Sequence, residues 1–167
     1  MTRSTPIEQF RRGVELGDPE RMLGALAPGA FLRSPVAGGL RFEGREQLAR
    51  LFGVTTAVYE HIDIVHDFGD GASWVLGFRA RIGKQPFEET LVLGLAVHGL
   101  VEELTASIRP MAGVAVVGSA VGKGLARQHG RARSFAFGAF IAPLVGMARS
   151  GDGLGPRLLG PLGDVDR

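Results

Sequence analysis

Two titratable side chains stand where an apolar strand face could put them to chemical use. His66 alternates with Ile62, Ile64 and Phe68, and Glu89 alternates with Phe87, Leu91 and Leu93. An imidazole on an apolar wall can be neutral at pH 7 and accept a proton. A buried carboxyl holds its proton more tightly than a solvated one and can act as acid or base near neutrality. Each has a plainer alternative: a core histidine bonded to a backbone carbonyl, and a glutamate that shares a solvated rim with Glu88. Ser34 could hydrogen-bond a ligand oxygen or merely end a strand. His66 and Glu89 are the catalytic candidates.

Other chemistries lack their residues. Cysteine is absent, so neither disulfides nor thiolate nucleophiles are available, and the four histidines show no metal-ligand spacing. The run Val114 to Gly124 suggests a phosphate loop, but Val117 stands where the motif needs Gly, and Gly124 where it needs Ser or Thr. Gly118 and Gly122 form a GxxxG pair that signals close helix packing. Neither a metal nor an organic cofactor is expected.

The candidates need strands to hold them. Phe87–Leu95 and Leu100–Met111 read as an antiparallel pair around a His98-Gly99 tip, ended by Pro110, which has no N–H to give. Before it, the period of two from Tyr59 to Phe68 and from Trp74 to Ala80, joined at Gly69-Asp70-Gly71, predicts a second hairpin. Upstream, Ile7, Phe10 and Val14 share one face of a helix that Gly17 stops. Asp18-Pro19 opens another, with Asp as N-cap, Pro in the first turn and Met22, Leu23 and Leu26 as its stripe. Pro28-Gly29 should end that helix, Ala30–Ser34 should form a strand, and Leu48, Leu51 and Phe52 should be the apolar side of a third helix. Helix, helix, strand, helix and four strands make an α+β layout. Three N-terminal helices cover one face of a curved antiparallel or mixed sheet and enclose an apolar pocket.

By alternation that pocket's wall takes Ile64, Trp74, Phe78, Leu91, Leu93, Leu104, Ala106 and Ile108, with Phe10 and Ser34 from the upstream elements. Arg33 and Arg109 fall on the opposite face, suited to ion pairs with acids such as Glu102 or Glu103.

At 167 residues and 45% hydrophobic content the chain can bury a core of ordinary domain size. Met1–Phe10 holds no apolar run that would serve as a signal peptide, and no apolar segment approaches the roughly 20 residues of a membrane span; a soluble, cytoplasmic protein is expected. The net charge of +2 is unevenly spread, since Leu104 to Gly151 has no acid and six Lys or Arg. Such a bias can mark an anionic partner or only the solvated face of C-terminal helices. Without interleaved aromatics or a basic recognition helix, nucleic acid is not expected as a partner, and membrane-surface contact by this segment ranks last. Residues 112–150 should form a helical extension that packs on the pocket domain (1–111) or on a second subunit, with 151–167 a tail.

Gly17-Asp18, Arg33-Ser-Pro-Val36, Phe42-Glu-Gly-Arg-Glu46 and Glu103-Leu-Thr to Arg109-Pro-Met111, in this order, resemble a SnoaL-like protein. That group belongs to the nuclear-transport-factor-2-like superfamily, with ketosteroid isomerase and polyketide cyclases. The resemblance spans residues 5–111 and implies a cone-shaped cystatin-like domain with a deep apolar pocket, and a homodimer. It implies a hydrophobic small molecule as ligand and no single activity. Followed through the register, ketosteroid isomerase's tyrosine, base and protonated aspartate fall on Phe10, Ser34 and Leu91, so its enolisation machinery is missing. What remains is a cyclase, isomerase or hydrolase of another mechanism acting on a polyketide-, steroid- or terpenoid-like substrate, or a non-catalytic binder or carrier of such a molecule.

Overall fold

The computed structural model describes residues 5–127, with Pro143, Gly146 and Met147 beyond them; the rest of the helical extension expected over 112–150, and the tail expected over 151–167, lie outside the described residues. Helix α1 (Pro6–Leu16) starts at Thr5, whose hydroxyl accepts from the Glu8 amide, and stops at Gly17, which takes the left-handed conformation at φ 63°. Helix α2 (Pro19–Gly24) is capped by Asp18, whose carboxylate accepts from the Arg21 amide at 3.0 Å. It ends before Leu26, which belongs instead to strand β1 (Leu26–Arg33). β1 runs through Pro28-Gly29, where the sequence suggested a stop. Pro28 is tolerated because the pairing of β1 with its neighbour is interrupted between Leu26 and Phe31.

Strand β2 (Arg41–Glu43) and helix α3 (Gly44–Val58) follow, then β3 (Glu60–Gly69), β4 (Ser73–Ile82), β5 (Gln85–Leu95), β6 (Val101–Arg109) and helix α4 (Met111–Arg127). β2 is a three-residue edge strand, too short to leave a period in the sequence. The sheet runs β2-β1-β6-β5-β4-β3, with β1 parallel to β6 and every other pair antiparallel. It is a mixed, open sheet in an α+β fold, as the element order led one to expect.

The β5–β6 hairpin sets the residues expected to share one face directly opposite one another. Glu89 lies opposite Ile108, Leu91 opposite Ala106 and Leu93 opposite Leu104, while Phe78 of β4 flanks Glu89 on the other side. These residues face the helices. Phe10, Leu48, Leu76, Leu93 and Leu104 are fully buried, and the Phe10 ring meets Phe52 edge-on at 6.1 Å. On the far face Arg33 pairs with Glu103 at 2.7 Å, and Glu88 receives both Arg79, at 3.0 Å, and Arg109. Placing Arg33 and Arg109 on that face matches the alternation.

Helix α4 packs on α3, β5 and β6. Its approach is close because glycines stand at the contacts: a Cβ on Gly113 would come within 2.6 Å of the Phe87 Cβ, and one on Gly124 within 2.3 Å of a Val54 methyl. Gly53 of α3 is different, since a Cβ there meets nothing within 4 Å.

This contrast yields a paired prediction. Alanine favours a helix interior over glycine by about 1 kcal/mol, so Gly53→Ala should raise stability by about 0.5–1 kcal/mol. Gly113→Ala gains the same propensity but forces α4 off the sheet, and overpacking costs about 1–3 kcal/mol. Urea unfolding should therefore show the two substitutions moving the midpoint in opposite directions.

Candidate functional site

Sheet and helices leave between them a cavity of about 470 Å³. The sheet contributes Leu32, Phe78, Glu89, Leu91, Ala106 and Ile108; α1 to α3 contribute Val14, Met22, Leu51, Phe52, Thr55 and Thr56; the turn after β1 contributes Ser34 to Ala37 and Leu40. α4 closes one side with Val117, Gly118, Val121, Gly122 and Leu125. Among the described lining residues Glu89 is the only side chain that can carry a full charge near neutral pH. It is also the one charged residue of the described core, at 8% exposure.

Glu89 is held by Tyr59, which ends α3 just before the chain enters β3. The Tyr59 hydroxyl donates to Glu89 Oε2 at 2.7 Å. The phenol ring is fixed edge-on against Phe87 at 4.9 Å and tilted against Phe78 at 6.3 Å, so the hydroxyl has little freedom to leave. Burial raises the Glu89 carboxyl from the ordinary 4.5 to about 7, with the Tyr59 hydrogen bond pulling the other way. Burial and the neighbouring carboxylate push the Tyr59 hydroxyl well above 10, so it stays a donor. A carboxyl poised near 7 can take or give a proton at physiological pH.

The remaining hydroxyls on the wall are mostly committed. Thr55 and Thr56 both donate to the Phe52 carbonyl, at 3.2 and 2.7 Å. Ser34 Oγ accepts from the Val36 amide at 3.2 Å, which leaves its own proton for a ligand. The cavity therefore offers one carboxyl and one hydroxyl donor on an otherwise apolar surface.

Of the residues expected at the site, Glu89, Ser34, Phe78, Leu91, Ala106 and Ile108 line the cavity together. His66 does not. β3 carries two register breaks against β4, one between Glu60 and Asp63, where His61 has φ 56°, and one between Ile64 and His66. The second break inserts a residue and reverses the face of everything after it. Ile64 lies opposite Phe78, but His66 lies opposite Gly77 on the outer face, exposed, with its ring against the edge of Phe68. Asp67 takes the inner position instead, and there the Trp74 indole donates to it at 2.7 Å while Arg11 pairs with it at 2.7 Å. Trp74 is thus tied under α1, away from the cavity. Phe10, Leu93 and Leu104 are buried at 0%, 1% and 0% exposure and fill the core beside the cavity without lining it, and half-buried Ile64 leaves the lining position to Ile62.

The sequence points neither to Tyr59 as a site residue nor to the expected C-terminal helical extension as a wall of the cavity. Tyr59 is the only tyrosine in the chain and sits between a helical period and a strand period, a junction where side-chain direction is hard to assign. The glycines of α4 carry a signal for close packing, on the domain or on a second subunit, but none for a cavity between the helix and the sheet.

The titration of Glu89 can be read from stability. The folded protein holds the proton more tightly than the unfolded chain, so stability is unaffected below about pH 4.5, falls between 4.5 and 7, and stays lowered above 7. The whole difference is about 3 kcal/mol, at 1.36 kcal/mol per pH unit. Glu89→Gln keeps an acceptor for Tyr59 and removes the charge. Its stability advantage over the parent should grow between pH 5 and pH 8, measured by urea unfolding at each pH.

No protein-family model matches the sequence, and among curated proteins no match is found. Solved structures do match. One is an uncharacterized protein with a cystatin-like fold from Silicibacter pomeroyi, at TM-score 0.66 and 21% identity over 81% of this chain and 93% of that one. Another is a steroid delta-isomerase from Pseudomonas aeruginosa, at TM-score 0.63 and 22% identity over 74% and 88%. A third is SalBIII, an epoxide hydrolase/cyclase-like enzyme of pyran ring formation in salinomycin, at TM-score 0.52 and 17% identity over 62% and 88%. Further similar structures are NTF2-like proteins of unknown function. With six strands curved around an apolar cavity and these structures as its likenesses, the chain has the cystatin-like fold of NTF2-like proteins.

Proposed function

We propose that this protein binds a hydrophobic small molecule of polyketide, steroid or terpenoid character and exchanges a proton with it through Glu89. A carboxyl poised at about 7 on an apolar cavity wall carries the reading. Cavities of this size and lining are where small ligands are usually held. Tyr59 positions the carboxyl, and Ser34 supplies a donor for a ligand oxygen. The reaction would be a cyclisation, isomerisation or hydrolysis. The isomerase and cyclase-like enzyme among the similar structures agree with that class, though likeness at this identity speaks for the fold alone.

The ketosteroid isomerase mechanism is not part of the proposal. Its three positions here are Phe10, buried against Phe52, and Ser34 and Leu91, both on the cavity wall. Glu89 stands two residues before Leu91 on the same strand face, so an acid is present but displaced along the wall. A second reading, a carrier that holds its ligand unchanged, is favoured by the commitment of both threonine hydroxyls to the α3 backbone. That leaves few donors to stabilise a developing oxyanion.

Incubation with steroid, polyketide and terpenoid panels, followed by mass spectrometry of bound and released species, separates the two. A substrate turned over by the parent should lose about 10²–10⁴-fold in rate with Glu89→Gln while its affinity is kept. Binding without turnover, equal in parent and variant, would establish the carrier. For a turned-over substrate the rate should change through about pH 7, and Tyr59→Phe should move that inflection upward, because the hydrogen bond it removes lowers the Glu89 pKa.

A further inference from the structure

The charge on the cavity wall points to the chemical class of the ligand, an inference that rests on the pocket reading above. Among the described residues the wall carries no lysine, arginine or histidine, and its one charge is the Glu89 carboxylate. Tyr59 is the only other titratable group on it, and its proton is directed at Glu89 Oε2. Nothing among the described residues donates to Oε1, which leaves an acceptor on the cavity wall with no internal partner. The strands that flank Glu89 place Phe78 and Ile108 beside it, and neither offers a counter-charge.

A ligand entering this cavity meets a negative or neutral acceptor, aromatic rings and the Ser34 hydroxyl, and among the described residues no cation that would neutralise an anion. A carboxylate or phosphate would lose its hydration without gaining a cation, and it would stand against Glu89 in a medium of low dielectric. An X–H group would instead complete the open acceptor, and an ammonium group that lies over one of the aromatic rings on the wall would gain further. We infer that the cavity takes apolar molecules that present a hydrogen-bond donor, a hydroxyl or an amine, towards Glu89 Oε1 and excludes their anionic counterparts.

The test uses one apolar frame with three groups: 1-aminoadamantane, 1-adamantanol and adamantane-1-carboxylate, each titrated calorimetrically into the full chain at pH 8. The amine and the alcohol should bind at least tenfold more tightly than the carboxylate, and on the order of a hundredfold where the donor is charged. Equal or tighter binding of the carboxylate overturns the inference while leaving the pocket reading intact. If none of the three binds at millimolar concentration, the pocket reading falls and this inference with it. In Glu89→Gln, which removes the charge, the gap between alcohol and carboxylate should shrink by about tenfold. A gap that persists unchanged in a folded variant would show that Glu89 is not the filter. The comparison of the three compounds on the parent protein stands even if the variant does not fold.

Discussion

A carboxyl group taken out of water with no cation beside it must either keep its proton or be held by donors, and the interior of this protein is arranged around that constraint. Among the described residues Glu89 has a single donor, the Tyr59 hydroxyl, across the space between the end of α3 and the middle of β5. The donor is fixed by Phe87 of β5 and Phe78 of β4. Were Glu89 paired with an arginine, its charge would be settled at every physiological pH, as it is for Glu88 on the opposite face between Arg79 and Arg109. Adjacent residues of one strand thus have opposite fates. The two-residue period sends one to a lattice of guanidinium groups and the other to a nearly apolar cavity.

Much of this was legible before the fold was known. Where successive residues alternate without interruption, as from Phe87 to Leu93 and from Leu104 to Ile108, the face of every side chain followed from the period alone. It put Glu89, Leu91, Ala106 and Ile108 on one face, and all four border the cavity. Caps at Asp18 and Gly17 fixed helix ends for the same reason: a local rule with a local cause. The failures lie where an unpaired residue enters a strand. The bulge before His66 leaves no composition signal, since His61 to Phe68 alternates in sequence whether or not a residue is inserted in the pairing. One such insertion moved the imidazole from the inner wall to the solvent side and brought Asp67 in.

Tertiary placement was the other limit. The contact of Tyr59 with Glu89 joins residues 30 apart, and neither residue alone announces the other. The split between lining and core residues was equally hidden. Leu93 and Leu104 share a face with Leu91 and Ala106, yet one step along the hairpin decides whether a leucine borders open space or another side chain. Periodicity assigns a face; depth along that face depends on how the helices lie over it.

One consequence concerns the glycines of α4. Gly118 and Gly122 border the cavity on a helix, and a Cβ on Gly118 would lie 3.2 Å from a methyl of Val36 in the turn after β1. The interior volume is therefore set partly by what these two positions omit. A Cβ added at Gly118 would press on Val36 and would meet neither a strand nor the Tyr59–Glu89 pair. The capacity of the cavity and the chemistry on its wall are thus encoded in separate elements of the chain: glycines of α4 leave the space, while β5 and the end of α3 supply the carboxyl and its donor.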